Sequence, residues 1–377
     1  MSIYLDNAAT TLIDEEVREA MFPYMTKFWG NPSSLHSYGR QAKSGIEKAR
    51  KQIATLLNVM PSEIFFTASG TEGNNMLLKG CIATHNINHV ITSPLEHDSV
   101  RIPLIFLAKK GTIQLDFVAI DQQGVIQYDH LEELLKKNTT KSTLVSIMHA
   151  NHEIGNIYNI NHIGEICADY KSVFHSDTIQ TMGKYDFKTF PMQLAVGTAH
   201  KFHGPKGAGF VYINSATKIS SFIHGGMQEI GMRGGTENVA GIVGLAKALE
   251  VAYRDQEKNR EHVSRLKNIM IKQLQEKLPF ITFNGASADL EKSIPTLLNI
   301  QLPKSDKHDM LLFNLDIRGI AASAGSACTS GSVMGSQVLT ALNKNSLGAV
   351  RFSFSKYTTI EEINYTVNAL AKICNHD

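Results

Sequence analysis

Three short segments of the sequence place charged or reactive residues beside small ones. Residues 69–71 read Ser-Gly-Thr and precede a helical pattern. The free N–H groups at such a helix start could bind a phosphate, although Gly-Thr also begins many ordinary helices. Asp177 follows an apolar run, where a buried carboxylate requires a cationic partner unless it only caps a helix. Lys201 follows a second apolar run and is flanked by two histidines. It is either a desolvated, nucleophilic lysine or a surface lysine in a turn.

Taken together, the three segments supply the parts needed to bind pyridoxal phosphate. The phosphate would lie at the helix start, Asp177 would pair with the pyridinium nitrogen, and Lys201 would bind the aldehyde as a Schiff base. Each segment follows an apolar run that reads as a strand. Ligands of open α/β sheets bind beyond the carboxyl ends of the strands. We therefore expect a single site at one edge of a sheet.

The elements that must position these residues alternate along the chain. Apolar runs such as 63–67 and 173–177 are separated by helical patterns, which predicts βαβ units and a largely parallel sheet with helices on both faces. Near residue 238 this alternation gives way to a long helical stretch, followed by isolated strands and helices. We predict a large cofactor-binding domain over 15–250. Residues 1–14 and 251–377 would form a small domain that carries Cys328.

Length and composition exclude several other classes of protein. The 377 residues fit two domains of roughly 100–200 residues each. The chain has 37 Lys and Arg against 35 Asp and Glu, so it lacks the positive electrostatic field that nucleic-acid binding requires. No apolar run approaches the roughly 18 residues of a membrane span, and a signal peptide is not expected. Four cysteines in so long a chain argue against a disulfide scaffold. We expect a cytoplasmic enzyme without membrane or direct nucleic-acid contacts.

A series of motifs along the whole chain resembles the cysteine desulfurases of the NifS/IscS type. These belong to the class V aminotransferase group of fold-type I pyridoxal-phosphate (PLP) enzymes. The motifs are YLDNAATT at 4–11, GNPSSLH at 30–36, SGTEGNN at 69–75, EHDSV at 96–100, NHEIG at 151–155, HSDTIQTMGK at 175–184, AHKFHGPKG at 199–207, RGGTEN at 233–238, SAGSACTS at 323–330 and VRFS at 350–353. The resemblance implies an α/β fold with a large, mainly parallel α/β/α domain and a small α+β C-terminal domain.

The resemblance also implies an activity and a role for each matching residue. L-cysteine would be converted to L-alanine, with a persulfide forming on the nucleophile Cys328. Lys201 would carry the cofactor and His97 would stack on its ring. The other cofactor-binding residues implied are Gly70, Thr71, His152, Asp177, Gln180, Thr198, His200 and, from a second subunit, Thr236. Arg351 and Asn31 would bind the substrate carboxylate. No metal is implied, apart from an iron–sulfur cluster in transfer on Cys328.

The same resemblance implies two kinds of protein partner. One is a second copy of the chain in a symmetric homodimer, and the other is a sulfur-acceptor protein. The acceptor would be an iron–sulfur scaffold or a tRNA-thiolation enzyme. Small polar residues at 325–332 surround Cys328, which fits a thiolate on a surface loop that reaches the cofactor.

Several positions depart from the family pattern. His152 stands where the family has an asparagine that touches the ring hydroxyl of the cofactor, and an imidazole is bulkier and titratable. Met227 replaces a glycine and Gly234 replaces a serine. Residues 178–179 read Thr-Ile where the family has two small residues. These changes indicate a divergent member whose rate or substrate range differs.

Other functions remain open at this point. Transamination needs no thiol, so Cys328 argues against it, whereas selenocysteine lysis uses a nearly isosteric substrate. Paired histidines at 149 and 152 and at 200 and 203 have the spacing of metal ligands, but no Cys-x-x-Cys pair accompanies them. A homologue that binds partners without catalysis is a further alternative.

Overall fold

The structure, a computed structural model, describes residues 2–138, 142–187, 191–303, 310–325 and 335–375. Its helices are α1 (Glu15–Thr26), α2 (Ser37–Leu57), α3 (Gly70–Thr84), α4 (Asp98–Lys109), α5 (Tyr128–Lys137), α6 (Ile160–Asp169), α7 (Val239–Arg254), α8 (Gln256–Lys277), α9 (Leu311–Ile317), α10 (Gln337–Ala341) and α11 (Ile360–Asn375). Its strands are β1 (Ile3–Tyr4), β2 (Ile64–Thr67), β3 (His89–Thr92), β4 (Gln114–Phe117), β5 (Thr143–Ser146), β6 (Val173–Asp177), β7 (Leu194–Thr198), β8 (Gly209–Ile213), β9 (Thr282–Phe283), β10 (Leu297–Gln301), β11 (Ile320–Ala321) and β12 (Ala349–Ser353). Within these ranges, no helix has the length and apolar character needed to cross a membrane.

A seven-stranded sheet forms the centre of the larger part of the molecule. Its strand order is β2-β8-β7-β6-β5-β3-β4. The strands from β7 to β4 pair in parallel, and β8 runs antiparallel to both of its neighbours. Because β8 alone is reversed, β2 runs in the same direction as β7. The carboxyl ends of β2, β3, β5, β6 and β7 therefore lie at the same edge of the sheet.

Helices cover both faces of this sheet, so most of its strands are buried on both sides. The apolar stripes of α2, α5, α6 and α7 pack on one face around Ile53, Phe174 and Phe210. On the other face, α3 and α4 pack around Leu77, Leu104 and Val196. Strands buried on both faces read as continuous apolar runs rather than alternating ones, as β2, β5 and β7 do.

A second core lies in the C-terminal part of the chain. The long helices α8 and α11 pack on the antiparallel sheet β12-β10-β9 around Leu266, Leu298 and Phe352. The first residues of the chain join this core, because β1 pairs in parallel with β11 and both Ile3 and Leu5 are buried there. The chain thus has two hydrophobic cores, which agrees with a large domain over 15–250 and a small domain formed by 1–14 and 251–377. The exact domain boundaries stay a prediction.

The predicted fold class is confirmed, and the local predictions agree with most elements. Asp14 caps α1 by accepting the Glu16 N–H, and Thr359 and Glu362 form the capping box at the start of α11. The long helical stretch after residue 238 is interrupted at Asp255, between α7 and α8. The sequence analysis did not predict α5 or β8. The short run of β8 directly follows a glycine-rich segment, and its reversed direction depends on pairing with β2 and β7.

Candidate active site

The strand ends bring the predicted residues to one cleft with about 800 Å³ of open space. The strands β2, β3, β5, β6 and β7 are each followed by a short turn that projects side chains into this cleft. The predicted residues that line it are Gly70, Thr71, His97, His152, Asp177, Gln180, Thr198, His200, Lys201 and Arg351. The structure thus brings these residues together at one edge of the sheet, and their role as a site stays a prediction.

The N-terminus of α3 forms one end of the cleft. Ser69 caps the helix by accepting the Glu72 N–H, and Gly70 and Thr71 form its first turn. A Cβ on Gly70 would lie 2.2 Å from the Ile179 side chain, so only glycine lets the helix start come this close to the turn after β6. Free N–H groups and the positive end of the helix dipole then face the cleft, which is an arrangement suited to a phosphate.

Asp177 ends β6 inside the cleft and is 6% exposed. One of its carboxylate oxygens accepts the Ile179 N–H at 3.0 Å, and the other accepts the Asn74 amide at 2.8 Å. No cation lies within ion-pair distance of Asp177 among the described residues. A buried carboxylate that is held by two neutral donors can still accept a proton-bearing cation from a bound ligand.

Lys201 lies opposite, in the 3₁₀ turn Ala199–Lys201 that follows β7. Its ammonium donates to the carbonyl oxygens of Ala8 at 2.6 Å and Ala9 at 2.8 Å. The N-terminal segment therefore crosses the cleft and orients the lysine. Burial and the charge of Lys201 lower the pKa of the neighbouring His200 to about 4, so this imidazole is neutral at pH 7.

Two histidines meet edge to face on the other side of the cleft. The rings of His97 and His152 are 4.9 Å apart with an interplanar angle of 76°. Burial, followed by the charges of His152 and Lys201, lowers the pKa of His97 to about 4. His97 Nδ1 accepts the Ser99 N–H at 3.0 Å, which assigns the proton of the neutral ring to Nε2.

His152 is held by a chain of polar contacts. Its Nε2 lies 3.5 Å from a Glu153 oxygen, and the hydroxyl of Ser336 donates to the other oxygen of that carboxylate. Although burial raises the pKa of Glu153, hydrogen bonds from His152 and Ser336 and the charge of Arg351 produce a net lowering. The Nδ1 of His152 is buried without a hydrogen-bond partner among the described residues. It is thus available to a ligand.

Arg351, on β12, brings a cation from the C-terminal part of the chain into the cleft. It is 1% exposed and donates to Asp6 Oδ1 and to the His152 carbonyl oxygen, both at 2.8 Å. Its Nε is buried without a partner among the described residues. Since a guanidinium has five N–H donors, Arg351 retains capacity for a carboxylate.

Two predicted residues lie outside the cleft and a third cannot be placed. Asn31 and Thr236 are both exposed and do not line the cleft of this chain. Asn31 instead accepts the Ser33 N–H within its own turn. Cys328 lies outside the described residues. Within the described ranges, no group of three His, Cys, Asp or Glu residues is arranged to hold a metal ion.

The structure adds residues that the sequence analysis left without a role. Asn74 bridges Asp177 and Ser99, and Ser99 in turn contacts His97 Nδ1 at 2.8 Å. Asp6 pairs with Arg351. Asn74 and Ser99 both lie within quoted motifs, at 69–75 and 96–100, so membership of a motif was the only signal for them.

The cleft has polar groups that match those of the predicted cofactor. The unpaired Asp177 carboxylate, the Lys201 amine and the glycine start of α3 fit the ring nitrogen, aldehyde and phosphate of pyridoxal phosphate. The unpartnered His152 Nδ1 adds a polar group within the same cleft. These residues fit the group on the chemistry of the donor set.

The fold and the cleft together define a fold-type I enzyme. The profile of the aminotransferase class-V family matches residues 3–366, and the chain belongs to this family. The cysteine desulfurase IscS of Dictyoglomus turgidum is 40% identical over 98% of this chain and 94% of its own. A NifS-like protein of known structure has a TM-score of 0.90 at 35% identity, over 99% of both chains. The structure of SspA in complex with cysteine has a TM-score of 0.80 at 30% identity, over 95% of this chain and 100% of its own. The predicted family membership is thereby confirmed.

Proposed function

We propose that this protein is a PLP-dependent cysteine desulfurase that converts L-cysteine to L-alanine and retains the sulfur as a persulfide on Cys328. The observation that carries the proposal is the convergence of Lys201, Asp177, His97 and Arg351 with the start of α3 in one cleft. Relatives named cysteine desulfurase cover almost the whole chain, and one similar structure contains cysteine.

Pyridoxal phosphate, when bound, withdraws electrons from the substrate Cα, and the protein residues control this effect. Lys201 would hold the aldehyde, and its amine, once replaced there by the amine of the substrate, would be free to move the Cα proton. Asp177 would favour a protonated ring nitrogen, since a buried carboxylate without a cation stabilises a positive charge placed beside it. Asn74 and the Ile179 N–H fix the orientation of that carboxylate.

Arg351 and His97 orient the substrate. The buried Arg351 retains free N–H donors, and we assign it the substrate carboxylate. His97 stays neutral because of its lowered pKa. Its Nδ1 accepts the Ser99 N–H, so its Nε2–H is the group that can donate a hydrogen bond to a ligand in the cleft.

The sulfur transfer balances without any further reactant. The Cys328 thiolate attacks the sulfur of L-cysteine, and an S–S bond forms while the substrate C–S bond breaks. The electron pair of the broken bond stays on the carbon fragment, which takes up protons to become alanine. Cys328 is then a persulfide that a thiol of an acceptor protein can attack.

The proposal also covers the location of the protein, its oligomeric state and its sulfur acceptor. We propose a cytoplasmic homodimer in which Thr236 of one subunit approaches the phosphate bound to the other. The acceptor is an iron–sulfur scaffold or a tRNA-thiolation enzyme, and names of relatives such as IscS favour the first. The exposed position of Thr236, away from the cleft of its own chain, supports a role across an interface.

A single substitution tests the proposed function. Cys328→Ser should keep the yellow colour of the bound cofactor, because the cofactor contacts lie elsewhere. It should release little alanine from L-cysteine and carry no persulfide. Cys374→Ser is the matched control and should behave as wild type. Normal alanine release by Cys328→Ser would move the assignment to a lyase that does not use a cysteine.

A further inference from the structure

A second cavity lies behind Lys201 between the two cores. Its walls come from the N-terminal segment, the turn at 183–185, α7, α8 and the segments at 294–296 and 354–356. It shares only Ala8 and Lys201 with the cleft of the candidate active site. Ligand sites occur preferentially at domain interfaces.

The walls of this cavity are mostly apolar. Val251 and Val263 come from α7 and α8, and Ile294, Pro295 and Phe354 close the side formed by the second core. An apolar lining of this kind favours the organic body of a small molecule over an inorganic ion, whose hydration shell it could not replace.

Most charged groups at the cavity already have partners. The Asp14 carboxylate accepts from Lys356 and from the Tyr357 hydroxyl. Arg260 pairs with Glu257 on its own helix, and His203 Nδ1 contacts the Leu12 carbonyl oxygen. Asp14 and Lys356 therefore neutralise each other, and Arg260 lies in an ion pair whose two side chains are mostly exposed to solvent.

Lys184 is the exception. It lines the cavity, and its ammonium has no hydrogen bond or ion pair with any residue that the structure describes. Burial and the charge of Lys201 lower the pKa of Lys184 to about 8, and no carboxylate opposes this effect. A partly buried cation beside an apolar cavity is costly without an anion, so Lys184 favours a ligand that carries one negative charge.

We propose that this cavity is a second ligand site, which takes a small organic monocarboxylate whose carboxylate pairs with Lys184 and whose apolar body contacts Val251, Val263 and Phe354. One charged donor matches one carboxylate better than a phosphate, which needs several donors. Because Lys201 separates the cavity from the active-site cleft, the ligand does not occupy the place of the substrate. The inference is independent of the reaction that the enzyme catalyses.

Benzoate and its neutral isostere benzamide are the probes, added to the purified protein and followed by calorimetry. Benzoate should bind and benzamide should bind at least about tenfold more weakly, because only the carboxylate pairs with Lys184. Lys184→Met should weaken benzoate binding by a similar factor, and Lys184→Arg should keep it. Lys110→Met, at an exposed position, should leave it unchanged.

Three results would overturn the proposal. One is equal benzoate affinity in wild type and Lys184→Met, with melting temperatures showing that both are folded. Another is displacement of benzoate by saturating L-alanine, which would place it at Arg351 in the cleft. The third is no measurable heat with millimolar benzoate in wild type and Lys184→Arg alike.

Discussion

The Asp177 carboxylate depends on one side chain for its orientation. The Asn74 amide donates to it at 2.8 Å and also contacts Ser99, which links the carboxylate to the N-terminus of α4. Both residues are almost fully buried. A hydrogen bond to a charged group contributes about 1.5–3 kcal/mol, which is more than a neutral one.

We therefore expect Asn74→Leu, which keeps the volume but removes the amide, to weaken cofactor binding by about tenfold or more. The dissociation constant of pyridoxal phosphate, measured by absorbance titration of apoprotein, checks this. The neighbouring Asn75 is the matched control, because its half-buried side chain donates to the Thr71 carbonyl oxygen and does not contact Asp177. Equal affinities in Asn74→Leu and Asn75→Leu would show that Asn74 does not support the cofactor.

The position of His152 leads to a second prediction about a single residue. Its Nδ1 is buried in the cleft without a hydrogen-bond partner among the described residues, and its Nε2 lies near Glu153. The substitution His152→Asn should shift the absorbance maximum of the bound cofactor, because an amide places different donors and acceptors beside it than an imidazole does. Superimposable spectra of the two proteins would mean that His152 does not act on the cofactor.

The chemistry-bearing residues could be predicted from the sequence, while their supports could not. Asp177 and Lys201 were visible because each follows an apolar run that ends at a strand edge. Asn74 and Asp177 are 103 positions apart, and no local pattern reports a contact across that separation. Asn31 and Thr236 could be found by their motifs, but their positions could not be predicted. A motif match does not say whether a residue faces the cleft of its own chain or that of a second subunit.

At the scale of elements, a buried ion pair fixes the turn that leads to Thr236. Arg50 on α2 pairs with Glu229 at 2.9 Å, and the same carboxylate accepts the Phe66 N–H of β2 at 2.7 Å. Glu229 and Ile230 both have positive φ, 47° and 58°, which is strained for a β-branched residue. The ion pair holds this turn against that strain.

Glu229→Gln should lower the free energy of unfolding by about 3 kcal/mol or more, because it leaves the Arg50 guanidinium buried without its counter-charge. Urea unfolding measures the change. The exposed pair of Lys136 and Glu132 on α5 is the control, and Glu132→Gln should cost less than about 0.5 kcal/mol. Similar losses in the two variants would contradict the role given to the Arg50–Glu229 pair.

For the whole molecule, buried neutral histidines set the acid limit of stability. Burial lowers the pKa values of His97, His149, His200 and His203 to about 4 and of His175 to about 3. In the unfolded chain these groups titrate near ~6.5, so on acidification the unfolded state binds protons first. Burial raises the pKa values of Glu96 and Glu237, which acts in the opposite direction but involves two groups against five histidines.

The free energy of unfolding should thus be unaffected by these histidines above pH ~6.5 and should fall steeply between pH ~6.5 and ~4. Urea unfolding at intervals of pH measures the slope. Replacing the exposed His162 by Gln should leave that slope unchanged. A flat profile across this range would mean that these histidines take up protons equally in the folded and unfolded protein.

An exposed apolar surface near Thr236 leads to the prediction of a shared site. Trp29 and Tyr38 stack at 5.4 Å, and Leu35, Met227 and Ile230 are also exposed. A hydrogen bond from Gln228 to Ser33 connects the two segments that carry these residues. Contiguous apolar surface of this kind marks a protein interface, and soluble homo-oligomers most often close as twofold dimers.

If Thr236 serves the cleft of the other subunit, two damaged proteins should restore each other. Lys201→Ala lacks the cofactor lysine, and Thr236→Asp places a negative charge beside the bound phosphate, so each homodimer should be nearly inactive. In a heterodimer, the cleft that keeps Lys201 receives the intact Thr236 of its partner. A subunit-exchanged 1:1 mixture should therefore recover about a quarter of wild-type activity, because half of the dimers are mixed and each has one intact cleft. Recovery should increase with incubation time under conditions that exchange subunits. A mixture that exchanges subunits, as sedimentation of a tagged chain would show, yet stays inactive would place Thr236 in the cleft of its own chain.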